Sequence, residues 1–136
     1  MNAEECRLVR ETFESLREQA EPVSLLFYGR LFELDPSARR LFHNDLALQG
    51  RKLIETLGTV VDSLHRFEST RPRLASLGRQ HAEYGVRPEQ YEIVIAALLW
   101  AIGQALGPDF DPRTRDAWAL ALAAVSSAMK EGASLP

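Results

Sequence analysis

The chain has 136 residues, 46% of them apolar and 26% charged, with a formal net charge of −3. That length suits one domain around one core, expected to span residues 1–136, and the slight acidity offers no basic face to nucleic acid. Cys6 is the only cysteine, which excludes a disulfide framework and a cysteine zinc site. The N-terminus, MNAEECRLVRETF, is acidic and lacks the apolar run of a signal peptide, and no stretch is expected to reach the ~20 apolar residues of a membrane span, so the expectation is a cytoplasmic protein.

In chain order, residues 3–19 predict an amphipathic helix with Val9, Phe13 and Leu16 inward. Pro22, Pro36, Pro88 and Pro112 each precede a run with helical apolar spacing, the position where a missing N–H costs nothing. Asp35 and Asp111 stand before two of them as N-caps. Helices are predicted over 22–34, 45–66, 71–84, 88–106 and 112–131, with a short turn-and-a-half over DPSARRLF, residues 35–42. No alternating β-branched segment argues for a sheet. The fold class is therefore all-α, with about seven helices.

Three of these helices carry a polar group on an apolar face. In 71–84, Leu74, Leu77, His81 and Tyr84 are read as one inward face. A buried imidazole must find a partner, either a backbone carbonyl or a metal. In 45–66, Gln49 is the only polar member of the stripe Leu46, Gln49, Leu53, Leu57, Val60 and Leu64. The Gly50 beside it suggests a close helix crossing, since glycine destabilises a helix interior by up to ~1 kcal/mol. In 22–34, Ser24, Phe27, Tyr28 and Leu31 share a face. If Ser24 meets Gly50, Tyr28 is carried toward Gln49. Taken singly, each group has an ordinary structural explanation: a core histidine, a glutamine reaching water, a tyrosine with a satisfied hydroxyl.

Together, and in this order, the segments LLFYGRLFELDPSARRLF, LQGRKLIETLGTVV, LGRQHAEYGV, AALLWAIGQALG and DAWALAL resemble the globin family. The likeness is to single-domain bacterial haemoglobins related to the flavohaemoglobin globin domain, and it covers roughly residues 4–130. The resemblance implies a globin fold of helices A, B, C, E, F, G and H. No separate D helix is needed, because only a short polar loop follows Phe42. It implies haem b (iron protoporphyrin IX) as cofactor. His81 matches the proximal histidine that bonds iron, Tyr28 the distal tyrosine and Gln49 the distal glutamine. Phe42 matches the phenylalanine that packs on the porphyrin, and Leu53 the apolar residue one turn beyond Gln49. Val86 and Val94 match further apolar contacts, joined by Leu57 and Leu77 from the inward stripes. Tyr91 matches a tyrosine of the proximal hydrogen-bond network. Lys52, Arg79 and Arg87 are candidate propionate partners. His43 is expected at the solvent or a propionate edge, and His65 as a dipole partner at its helix C-terminus. Trp100 and Trp118 are expected to pack between the last two helices.

The chain departs from flavohaemoglobins late in the last helix. Their proximal glutamate aligns with about Ala133, Glu131 lies half a turn out of register, and Leu122 stands where those relatives often have tyrosine. The implied function is high-affinity, reversible oxygen binding for storage, scavenging or delivery, with carbon monoxide and nitric oxide as further ligands. Nitric oxide dioxygenation with a separate reductase is the enzymatic alternative. A haem-based gas sensor and a haem-free module are the others. No nucleic acid or membrane partner is expected, and the state is monomer or homodimer.

Overall fold

A computed structural model describes residues 1–42 and 45–134. Helix α1 (Ala3–Glu18) opens with a capping box, in which the Asn2 and Glu5 side chains each accept the other's backbone N–H at 2.8 Å. Its inner stripe is Cys6, Val9, Phe13 and Leu16. Helix α2 (Ala20–Leu34) follows after Gln19 alone and starts two residues earlier than the proline suggests. Pro22 then sits in the first turn, where the N–H groups have no helical partner in any case. Asp35 caps a 3₁₀ helix, Pro36–Leu41, by accepting the Ser37 N–H at 3.1 Å. Phe42 ends that segment. His43 lies outside the described residues, and with it the expectation for its side chain.

Helix α3 (Leu46–Asp62) is shorter than the predicted 45–66. Ser63 ends it: its hydroxyl donates to the Thr59 and Val60 carbonyls at 3.1 and 3.0 Å, and its N–H also bonds Val60. Serine thus offers the backbone an alternative to continued helix. His65 consequently falls in a separate 3₁₀ turn, Leu64–Arg66, exposed and beyond the last turn of α3, so it is not the dipole partner expected there. Helix α4 (Phe67–Glu83) begins four residues earlier than predicted and runs through Pro72. The carbonyl that Pro72 cannot bond belongs to Glu68, which is exposed to water. Helix α5 spans Gln90–Leu106 and helix α6 spans Pro112–Ser134.

The result is all-α: six α-helices and the 3₁₀ helix Pro36–Leu41 occupy the seven predicted positions, with no strand among the described residues. Trp118 is fully buried and donates its indole N–H to Thr12 Oγ1 at 2.9 Å, so it ties α6 to α1. Trp100 packs toward α2 instead, with the Arg30 guanidinium 5.3 Å from its ring, a correction to its expected place between the last two helices. Contrary to expectation, Gln90–Asp109 is long and apolar enough, by length and composition, to cross a membrane. Its inner stripe, including Ala97, Ala101 and Ile102, is taken up by helix packing, chiefly against α2.

Two features of the packing matter for function. Helix α4 lies along α6 in the most extensive helix contact of the molecule. Helices α3 and α4, although consecutive but for a turn, barely touch. Their inward stripes therefore border a cleft rather than each other.

Candidate functional site

Helix α2 presents Ser24, Phe27, Tyr28 and Leu31 to the interior, all buried. The Ser24 hydroxyl is occupied within its own helix, donating to the Glu21 carbonyl at 2.9 Å. A Cβ built on Gly50 would overlap the Ser24 side chain and stand 3.7 Å from Tyr28 Cε2. The crossing inferred from two small residues is thus present. It brings Tyr28 against the first turns of α3, the stretch that carries Gln49.

Aromatic rings fix the Tyr28 ring. Its centroid lies 5.1 Å from Phe27, 5.1 Å from Phe42 in an edge-on pair, and 6.2 Å from a stacked Phe32. Such geometries each contribute about 0.5–1.5 kcal/mol beyond area burial. The Tyr28 hydroxyl makes no hydrogen bond to another described residue. Burial alone pushes its pKa up to about 12, so the phenol remains a proton donor at neutral pH. Gln49 and Leu53 are half-buried on the α3 stripe, ahead of the buried Leu57 and Val60.

On α4, Leu74 is buried and Leu77 and His81 are half-buried. His81 Nδ1 lies 2.8 Å from the Leu77 carbonyl oxygen. A carbonyl only accepts, so Nδ1 carries a proton, and in the neutral imidazole that leaves the lone pair on Nε2. Tyr84 does not share this face as expected: it is 78% exposed, because α4 ends at Glu83 and the chain turns away at Gly85. Gly85 adopts φ +100°, a conformation that side chains other than hydrogen disfavour. Val86 and Val94 are half-buried and pack against the core.

Tyr91 is buried, with its hydroxyl lacking a partner among the described residues, and burial raises its pKa. Glu131 does not reach it. It accepts instead from Arg71 Nη1 at 3.0 Å on the surface. Leu122 is buried. Among the described residues, His81 is therefore oriented by a carbonyl and not by a carboxylate.

Sequence reasoning missed the contact that joins the two corners of the cleft. Gln90 is buried, accepts the Arg87 N–H at 2.8 Å, and donates to Asp35 Oδ2 at 3.2 Å. The Ser37 hydroxyl and then Gln90 hold the Asp35 carboxyl below its usual pKa. Asp35 was legible as a cap, but its second bond, to a residue far along the chain, had no local signal. Lys52, Arg79 and Arg87 are all exposed, and Arg87 Nε pairs with Glu89 at 3.4 Å.

A groove of about 430 Å³ separates α3 from α4, with Thr56, Thr59 and Val60 on one side and Leu74, Leu77 and Gln80 on the other. Of the predicted site residues only Leu77 lines it, so the groove lies beside the predicted site, along the same inter-helix gap. Among the described residues no three His, Cys, Asp or Glu side chains gather as a metal site. A metal at His81 would have to bring its remaining ligands with it, as a porphyrin does.

Known proteins share this fold. The family model described as Globin matches residues 25–129. Zebrafish (Danio rerio) neuroglobin is 30% identical, over 92% of this chain and 87% of its own length. Neuroglobin of Tetraodon nigroviridis is 28% identical, over 97% and 92% respectively. The solved bacterial globin of Campylobacter jejuni has the same fold, with a TM-score of 0.84, 23% identity, and coverage of 97% of this chain and 96% of that one.

Proposed function

The chain belongs to the globin family, and from that premise we propose that it holds haem b through His81 and binds oxygen reversibly and tightly, with Tyr28 and Gln49 as hydrogen-bond donors. Haem, when bound, supplies an iron with open affinity for diatomic gases. The residues present fit that group. The observation that carries the reading is the bond from His81 Nδ1 to the Leu77 carbonyl. It fixes the tautomer, aims the ring, and leaves Nε2 as a ligand atom, the arrangement metal-binding histidines use. The apolar side chains of Phe42, Leu53, Leu57, Leu77, Val86 and Val94 would exclude water from a flat macrocycle.

On the other wall, the Tyr28 ring is buried, and its hydroxyl is protonated at neutral pH and bonds no other described residue. A hydroxyl in that state can donate to a ligand without first breaking a bond to the protein. Gln49 can supply an N–H from the adjoining helix. A hydrogen bond to an acceptor with negative charge contributes ~1.5–3 kcal/mol, which corresponds to roughly ten- to hundredfold slower oxygen release per bond. Carbon monoxide, a poorer acceptor, gains less. The test is the absorption spectrum of the reduced protein, purified with haem supplied, before and after each gas. The reading predicts a Soret band that shifts with both gases and slow oxygen release. Absence of a Soret band contradicts it.

The same pair of donors also suits a second reading, nitric oxide dioxygenation to nitrate. It needs one electron per turnover from a separate reductase. Mixing the oxygenated protein with nitric oxide, with and without a reductase, separates a single turnover from catalysis.

A further inference from the structure

Helix α4 has two unlike sides. Toward α3 it borders a gap; toward α6 it lies in backbone contact. Two glycines set that contact, and they do so reciprocally. A Cβ built on Gly78 would overlap the Met129 carbonyl of α6, and one built on Gly132 would overlap the Ala75 carbonyl of α4. Both obstacles are backbone atoms inside helices, which cannot rotate aside as a side chain can. Gly78 and Gly132 are both buried.

Gly78 shares its peptide unit with the Leu77 carbonyl, and that carbonyl is the one His81 Nδ1 bonds. The α6 backbone therefore abuts the same peptide group that orients the histidine. We propose that Gly78, with Gly132 as its counterpart, is a positioning residue for His81: the glycine crossing sets how far α4 stands from α6, and so the angle and reach of the imidazole into the cleft. A methyl group at position 78 has one direction in which to be relieved. It moves α4 off α6 and toward the gap, carrying the Leu77 carbonyl and His81 with it. At Gly29, by contrast, an added Cβ meets nothing within 4 Å, so a glycine-to-alanine change there supplies the control.

This inference rests on His81 being the iron ligand, and the test keeps the two apart. The iron–histidine stretching band of the reduced, gas-free holoprotein is recorded by resonance Raman, together with the rate of haem transfer to an excess of apomyoglobin. Gly78→Ala should shift the band and speed haem loss by roughly tenfold, the lower range for disturbing a ligand's supporting contacts. Gly132→Ala should move the band in the same direction, and Gly29→Ala should leave both readouts unchanged. Should Gly78→Ala fail to fold, the band is read in Gly132→Ala, whose added methyl meets the Ala75 backbone at the same crossing, and it too should shift. An unshifted band in a folded variant at position 78, or at position 132 if the first does not fold, overturns the proposal. Loss of the histidine band from the unmutated protein would instead overturn the assignment of His81.

Discussion

Tyr28 and His81 are held by opposite means. Tyr28 is fixed through its body: three aromatic rings and the Ser24–Gly50 crossing hold the ring, while its hydroxyl is left without a described partner. His81 is fixed through its polar edge: one ring nitrogen bonds a carbonyl of its own helix and the other bonds no described residue. In both cases a close helix crossing stands behind the side chain. The difference is what the crossing meets. At Gly50 the obstacle is the Ser24 side chain; at Gly78 it is the backbone of Met129. The wall expected to contact the gas is built from replaceable side chains, and the wall expected to hold the metal is set by main chain.

The sharpest way to break this comparison on the Tyr28 side is Gly50→Val. It drives branched carbons into Ser24 and should destabilise the fold by roughly 3 kcal/mol, the upper range for overpacking a filled core, as read from urea unfolding. Tyr28→Phe separates body from hydroxyl. The ring contacts survive, so unfolding stability should stay near the parent value, while stopped-flow oxygen release should accelerate about ten- to hundredfold. An equal loss of stability and oxygen retention would mean that the hydroxyl has a structural role.

The same hydroxyl predicts an alkaline signature. Its folded pKa, near 12, lies above the ordinary phenol value of 10.0, so its contribution to stability is complete below pH 10 and is lost as pH rises from there through 12. Unfolding midpoints measured across that window should fall with pH, and less so in Tyr28→Phe; Tyr91, also raised, accounts for a remaining part. The smallest effect is expected at Gly29, exposed in α2 with open space around it. Gly29→Ala should stabilise by about 0.4–1 kcal/mol in the same urea series, because it restricts the unfolded chain without touching the folded one.

What the sequence made legible follows the range of each interaction. The stripe Val9, Phe13 and Leu16, the Asp35 cap and the inward face of α2 are local patterns, and they stand as read; of the stripe read on α3 only Leu57 and Val60 are buried within that helix, and Gly50, Ile54 and Val61 share its inner face with them. Even one tertiary contact was legible, because Ser24 and Gly50 are both small and both sit on inward faces. The ends of α3 and α4 were misjudged where a local rule met a competitor: the Ser63 hydroxyl stops a helix whose apolar stripe continues, and Pro72 stands inside one, where the carbonyl left without its N–H belongs to the exposed Glu68. Tyr84 was read inward from spacing alone, although the helix ends before it. Gln90 on Asp35, and Gly78 against Met129, pair residues far apart in the chain. Nothing in either local segment marks them, since a buried glutamine and a helical glycine have many ordinary explanations.

The central claim is that one imidazole tethers the cofactor. The direct measurement is haem stoichiometry and the Soret spectrum of His81→Leu, expressed and reconstituted beside the parent protein, with far-ultraviolet circular dichroism to confirm that both are helical. The account predicts a folded variant that retains little pigment and shows no parent-like spectral response to oxygen or carbon monoxide. A His81→Leu protein with the parent's haem content and the parent's gas-induced shifts would contradict it.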